Sequence, residues 1–406
     1  MDHVTISEII PEISNLISTR KIEVLDKTDI YDVINHFLEH HQSDQPFFIV
    51  NLSEIVKKIN LWREHLPNVD AFYAIKCNPD DVVIKLMASL ALGFDCASKN
   101  EITRVISAEV DPSRIIYANP CKMPEQIKYA RANDIDLLTF DSPYELHKLK
   151  LFHPNAKLII RIQVDDSYSR CRFNCKFGVA QNDILNLLQQ AKFMELNVMG
   201  VSFHVGSGCE DSQVFKTALQ ECRKVYDMAR ELGFTFEIVD IGGGFPGDND
   251  EQFIKMTEAL KEGIIEHFHD LETPMKFMAE PGRFFVTSAY VLVTSVINKK
   301  VVRNTEDQSQ HLIYYLSESV YGSFNNTIFD HAHPKLLPFN ERNEKQFPCT
   351  VYGPTCDSMD KLPGECTLPD LAIGEVVYVE NMGAYTLAAS SSFNGFPATE
   401  CKYIIN

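Results

Sequence analysis

The 406-residue sequence is short of positive charge: 38 Lys and Arg stand against 56 Asp and Glu, a formal net charge of −18. That balance argues against nucleic acid and anionic membranes as partners, since either needs a basic face, and it would mildly attract a cationic substrate. There is no C-x-x-C pair, and the 11 cysteines are scattered and odd in number. This speaks against a disulfide framework or a zinc site and for reduced thiols in a cytoplasm, so no metal is expected. No apolar run approaches the roughly 20 residues of a membrane span. The opening MDHVTISEIIPEIS lacks the basic-then-apolar pattern of a signal peptide. Internal repeats and low-complexity tracts are also missing.

What is present is an ordinary globular composition, 45% hydrophobic and 23% charged, in a chain long enough for two domains. Residues 1–44 read as a leading strand–helix segment that packs with a later β domain. Residues 45–283 alternate short apolar runs with amphipathic stretches such as Asp80–Ala91, Asp183–Met194 and Ser212–Leu232. The predicted strands are Ala71–Ile75, Gly93–Ala97, Arg114–Ala118, Ile135–Phe140, Lys157–Ile162, Val198–Val205, Phe236–Ile241 and Lys276–Ala279. Eight successive βα units predict an α/β fold with a closed (β/α)8, TIM-like barrel; a doubly wound sheet is the alternative. From 284 to 406 the texture changes. Phe284–Ile297, Leu312–Leu316, Pro348–Tyr352, Glu375–Glu380 and Cys401–Ile405 read as strands with little helix between, a second all-β domain of sandwich or barrel type.

In such a barrel chemistry collects where strands end. The residues there are Lys76, Asp95, Asn119, Asp141, Arg161, His204, Gly242–Gly244 and Glu280. Lys76 closes the run Ala71–Ile75 just before Asn78-Pro79. The plainest account is a lysine reaching out from a strand end; a desolvated lysine would instead have a lowered pKa and a free amine for a Schiff base. Three glycines after strand seven let backbone N–H groups approach an anion, and Pro281-Gly282-Arg283 after strand eight adds a cation, a pairing that suits phosphate. Ser207 could add a hydroxyl. His204 offers a flat ring for stacking, against the commoner structural histidine. Glu280 could hold a protonated ring nitrogen, against a plain salt bridge to Arg161. In the β domain, Tyr352–Ser358 turns at Gly353-Pro354 and presents a thiol, Cys356, beside Asp357, while Tyr321–Asn326 with Asp330-His331 forms a second polar cluster. An amine, a phosphate cradle, a stacking ring and a ring-nitrogen carboxylate together describe a pyridoxal phosphate site, where the cofactor is the electron sink for a carbanion.

The segments Tyr73–Asn78 (YAIKCN), Gly93–Ile102, Ile116–Lys122, Ser202–Cys209 (SFHVGSGC), Asp240–Gly247 (DIGGGFPG), Glu280–Val286 (EPGRFFV), Val320–Asn325, Gly353–Asp360 (GPTCDSMD) and Glu380–Thr386 (ENMGAYT) resemble, in order and from about residue 40 to 400, the eukaryotic ornithine decarboxylase family, part of the alanine racemase-like, fold type III pyridoxal phosphate enzymes. The resemblance implies decarboxylation of L-ornithine to putrescine, the first step of polyamine biosynthesis. It implies that Lys76 holds the cofactor covalently, that His204 stacks on its ring and that Glu280 pairs with its nitrogen. Ser207, Gly244, Gly282, Arg283 and Tyr385 would bind the phosphate, and Asp95, Glu101 and Arg161 would shape the ring face. Cys356 would return a proton after CO2 leaves. Asp330 and Asp357 would bind the distal amine of the substrate, with Tyr321 beside it. The family forms head-to-tail homodimers in which the Cys356–Asp357 loop enters the partner's active site, and Lys176 and Asp360 match positions that pair across that interface. A regulatory antizyme-like protein is a possible partner.

Two departures stand out. Tyr315–Ser319 (YLSES) replaces the family's Asn-Asp-Gly-like turn, and Phe329 replaces a tyrosine before Asp330. Both lie near the element that measures substrate length, which keeps lysine and arginine open as substrates. Diaminopimelate would need a cation for its second carboxylate, which GPTCD lacks. The sequence ends at Asn406, soon after Phe393–Phe396, so the degradation tail of the animal enzyme and its rapid turnover are not expected. A reading of another class is a catalytically dead homologue that binds a regulatory protein; such homologues lose cofactor residues, and here Lys76, His204, Gly242–Gly244, Arg283, Cys356 and Asp357 are all present.

Overall fold

A computed structural model describes Thr5, Thr19 and residues 21–40, 44–306, 308–340 and 345–406. Asn60–Phe284 forms one compact unit, and the described residues of Val4–Ile59 join Phe285–Asn406 in a second.

The first unit is a closed barrel of eight parallel strands: Val69–Ala74, Gly93–Cys96, Ile115–Tyr117, Leu137–Phe140, Lys157–Arg161, Asn197–Ser202, Ile238–Asp240 and Lys276–Ala279. Each pairs with the next in the chain, and the eighth closes on the first, Phe277 opposite Val69. The strands read as unbroken apolar runs because both their faces are covered. Inside the barrel, Phe72, Ile116, Ala118, Ile159, Ile238 and Met278 form one cluster. Gly93 is part of this packing, since a Cβ there would lie 2.5 Å from the Phe72 ring. Three of the outer helices, those starting at Asp81, Lys99 and Asp250, begin on side-chain caps. Asp80 accepts from the Val82 and Val83 amides ahead of Asp81–Ser89, and Ser98 accepts from Glu101 ahead of Lys99–Ser107. These caps turn the chain at the carboxyl end of a strand, so the residues just before them face the barrel mouth.

The second unit is built on a nine-stranded sheet, largely antiparallel, whose longest member is Tyr290–Arg303. That strand pairs with Gln310–Leu316, with Val376–Val379 and with Phe47–Asn51. Phe47–Asn51 also runs parallel to Glu400–Ile405, which in turn pairs with Glu23–Val24. The helix Ile30–His40 lays Val33, Ile34 and Phe37 against Phe47, Ile49 and Val293. Phe47–Asn51 therefore lies outside the barrel in which the sequence pattern would start it; a buried apolar run does not say which sheet will take it. The run predicted as a strand from Phe284 first makes a helical turn, Arg283–Val286, and becomes extended at Tyr290. Residues 1–4, 6–18, 20, 41–43, 307 and 341–344, including parts of the leading segment and of the polar connections, lie outside the described residues.

Candidate active site

The residues expected at the barrel mouth occupy it. Lys76 sits two residues past the first strand, in the helical turn Ile75–Cys77. Its Nζ is paired with Asp95 at the end of the second strand. The Lys76 side chain is 38% exposed and that of Asp95 1%. The desolvated lysine expected from the sequence is thus half-open and counter-charged, although its neighbours Ile75 and Cys77 are fully buried. The second Asp95 oxygen, Oδ1, is buried with no hydrogen-bond partner. Behind this pair, Glu101 accepts the Ala97 amide at 2.5 Å, and burial raises its pKa. Arg161 ends the fifth strand. Burial pulls its pKa down, against the charges of Glu280, Asp141 and Asp240.

His204 follows the sixth strand and is buried, with the Phe173 ring edge-on at 4.9 Å. Its Nδ1 accepts the Gly206 amide at 3.0 Å. Burial, reinforced by Arg161, Lys76 and Arg283, drives its pKa well below 6.5. The ring is therefore neutral, and since Nδ1 is an acceptor the proton is on Nε2.

The glycine run is built by close backbone approach. A Cβ on Gly242 would lie 2.2 Å from the Phe203 carbonyl, one on Gly243 2.8 Å from that of Glu280, and one on Gly244 2.8 Å from that of Gly206. Gly242 and Gly244 also need positive φ, 63° and 107°. Arg283 donates from Nε (3.1 Å) and Nη2 (2.7 Å) to Ser207 Oγ. With its lone pairs so engaged, the Ser207 hydroxyl can turn its own hydrogen outward to an anion. Gly282 lets this loop close on the lysine turn: Ala74 N–H donates to the Pro281 carbonyl at 3.1 Å, and a Cβ on Gly282 would come within 2.8 Å of Cys77 Cβ.

Glu280 is buried, but its hydrogen-bond partner is Asp240, at the end of the neighbouring seventh strand. Burial raises both pKa values, that of Asp240 to about 7 and that of Glu280 well above the usual carboxyl range. Near neutral pH the pair is therefore still protonated, and Asp240 also accepts the Gly242 amide at 2.9 Å. Motif reading passes over Asp240; its signal is a carboxylate ending an apolar strand immediately before the glycines. Lys122 and Glu145 are likewise unflagged as site residues. The Lys122 ammonium, fully buried, binds the carbonyls of Asn119 (2.9 Å) and Thr139 (2.5 Å) and Glu145 Oε1 (3.0 Å), tying together the loops after strands three and four.

The remaining predicted residues belong to the second unit. Tyr321 OH donates to Asp357 Oδ2 and its ring stacks on Phe393 at 4.4 Å. Asp357 Oδ1 accepts the Met359 amide at 3.0 Å, and this bond with that of Tyr321 lowers the Asp357 pKa. Cys356 is exposed, its amide bound to Asn394 Oδ1 at 2.9 Å. Asp330 is buried just after the short helix Asn326–Phe329, and Phe329 is 65% exposed. Tyr385 takes φ 57° in a turn where Thr386 Oγ1 donates to the Met382 carbonyl at 2.7 Å. Asp360, expected to face Lys176 of another subunit, is buried in its own loop, accepting the amides of Val320 (2.9 Å) and Thr355 (3.0 Å). In the YLSES segment, Glu318 is buried and accepts from Ser323 Oγ at 2.7 Å and Thr399 Oγ1 at 2.5 Å.

A family model described as "Pyridoxal-dependent decarboxylase, pyridoxal binding domain" matches residues 52–287. Ornithine decarboxylase of Rattus norvegicus is 42% identical over 391 residues, covering 93% of this chain and 84% of that protein. Antizyme inhibitor 2 of Xenopus laevis is 43% identical over 384 residues, with coverages of 92% and 83%. Among solved structures, the arginine decarboxylase of Paramecium bursaria Chlorella virus bound to agmatine superposes with a TM-score of 0.88 at 36% identity, over 92% of this chain and all of that one.

Proposed function

The chain belongs to the pyridoxal-dependent decarboxylases, and within them we propose that it converts L-ornithine to putrescine and CO2, the entry reaction of polyamine biosynthesis. It is an amino-acid decarboxylase, a carbon–carbon lyase, and its cofactor is pyridoxal 5′-phosphate. One observation carries the reading: Lys76, the glycine and Ser207–Arg283 cradle, a neutral His204 and the Asp240–Glu280 acid pair meet at one barrel mouth. They suit a planar, phosphorylated nitrogen heterocycle bearing a carbonyl, and the unsatisfied Asp95 oxygen leaves a polar partner to spare.

When bound, pyridoxal phosphate supplies an electron sink for the pair left as the carboxylate departs as CO2. In this reading Lys76 holds the cofactor through its amine, with Asp95 fixing that amine's position. The Gly243–Gly244 backbone, Ser207, Gly282 and Arg283, with Tyr385, receive the phosphate. His204 presents an uncharged face to the ring, which avoids repulsion with a ring cation. A basic ring nitrogen held against Glu280 would accept the proton of the acid pair, so the carboxylate would ionise only when it has a cationic partner. Arg161 balances that charge from the side.

The substrate's distal ammonium is assigned to Asp330 and Asp357, the latter kept anionic and aimed by Tyr321 and the Met359 amide. Cys356 Sγ donates the proton to the carbon that has lost CO2. We assign the Cys356–Asp357 loop to the barrel of a second subunit, so the working form is a head-to-tail homodimer with shared sites. The odd, scattered set of 11 cysteines, with no C-x-x-C pair, supports a cytoplasmic setting, and among the described residues no helix is long and apolar enough to cross a membrane.

CO2 release from L-ornithine, L-lysine and L-arginine, side by side with added pyridoxal phosphate, tests the substrate. Preference for ornithine is expected; preference for arginine, the substrate class named for the viral relative, would overturn it and point to Tyr315–Asp330. The likeness to an antizyme inhibitor favours a second reading, a binding-only homologue that engages an antizyme-like protein. A purified protein that takes up no pyridoxal phosphate and releases no CO2 would select it.

A further inference from the structure

The loop that carries Cys356 and Asp357 is rooted in a two-strand ladder, Phe347–Tyr352 against Cys366–Leu368. In that antiparallel register Cys349 lies directly opposite Cys366. Both thiols are free. Opposed residues in an antiparallel ladder have Cα atoms about 4.5 or 5.5 Å apart, inside the range of about 4.4–6.8 Å that a disulfide bridges. Their Cβ atoms, at about 4.5–5.5 Å, need to close by at most about 1–2 Å to reach the disulfide spacing. The strand that must move is free to do so, because Cys366–Leu368 is only three residues long and forms the edge of its sheet. We propose that Cys349 and Cys366 are a reversible disulfide site that ties off residues 350–365, and with them the Cys356–Asp357 loop, when the thiol pool is oxidised.

The two thiols are unequal in the way exchange requires. Cys349 is buried and Cys366 half-buried. The Cys349 thiol hydrogen-bonds the Cys366 sulfur, which raises the pKa of Cys349 and lowers that of Cys366. With glutathione disulfide as oxidant, the Cys366 thiolate attacks one sulfur and expels a glutathione thiolate. Cys349, giving up its proton, then attacks the Cys366 sulfur and expels the second. Two protein thiols become one disulfide while one glutathione disulfide becomes two glutathiones, so atoms, electrons and protons balance. The bond concerns the chain's own thiols and does not depend on the proposed reaction.

The test incubates holoprotein with glutathione disulfide, blocks remaining thiols and maps the peptides without reduction. The exposed Cys121 and Cys175 serve as internal controls for reaction. The expected result is a Cys349–Cys366 linked peptide that disappears with dithiothreitol. Tryptic cleavage after the exposed Lys361, inside the closed segment, should slow several-fold on oxidation in the wild type and not in Cys366→Ser. Because Cys366 is half-buried at a sheet edge, that variant is the one expected to fold; Cys349→Ser, if it folds, should stop with glutathione on Cys366. Cys366 left alkylatable or carrying glutathione in the wild type, while Cys121 and Cys175 have reacted, would overturn the proposal. So would a linked peptide with unchanged cleavage at Lys361.

Discussion

Asp240 and Glu280 end neighbouring barrel strands and share a hydrogen bond where neither carboxyl meets water. Two like groups so placed cannot both ionise cheaply, and burial raises both pKa values. In the unfolded chain Asp240 ionises near its ordinary 3.8; in the fold it does so only at about 7. The folded state therefore holds more protons across that interval. The contribution of this group to stability is full below the lower value, declines as pH rises and levels off once the upper is passed.

Asp240→Asn should flatten that part of the curve, since the amide oxygen still accepts the Gly242 amide but cannot titrate. Thermal unfolding of cofactor-free wild type and variant, compared at intervals from pH 4 to pH 8, reads the difference. Parallel curves would mean that Asp240 does not carry the raised pKa.

Lys76→Ala should lower turnover by about 10³-fold or more, as removal of a covalent group does elsewhere. It also strips the counter-charge from Asp95, 1% exposed. We expect the variant to fold but to melt below the wild type, and Lys76→Arg to recover the melting temperature without recovering turnover. CO2 release and circular dichroism check the two halves separately.

Arg283→Met should leave the barrel intact and weaken cofactor uptake. One charge-assisted hydrogen bond is worth about 1.5–3 kcal/mol, so the pyridoxal phosphate concentration for half-reconstitution should rise about 10- to 150-fold. Titration of the visible absorbance of the apoprotein measures this. An unchanged midpoint would remove Arg283 from the phosphate cradle.

Lys76→Ala and Cys356→Ala subunits, each inactive or nearly so alone, should regain activity on mixing. Random exchange makes half the dimers mixed, each with one intact site, so recovery should approach about a quarter of the wild-type rate. Mixed dimers that form, as shown by differently tagged subunits, and stay as inactive as their parents would rule out shared sites.

Much of this was written in the linear order of residues. Eight apolar runs separated by amphipathic stretches point to a parallel barrel ahead of a doubly wound sheet, which more often has five or six strands. The chain's place among pyridoxal-dependent decarboxylases was legible too, since Lys76, His204, Gly242–Gly244, Glu280 and Arg283 each sit beside a strand end with their motif neighbours. Tertiary structure alone decided the partnerships. Phe47–Asn51 is apolar enough for either unit and went to the second because Tyr290–Arg303 and Glu400–Ile405 offered ladders on its two edges. Asp95 became the partner of Lys76, Asp240 that of Glu280, and Cys349 came to lie opposite Cys366. Residue type and spacing along a chain limit which groups can reach a strand end; register between strands far apart in sequence, and the exclusion of water there, determine which of them share a proton, a charge or a bond.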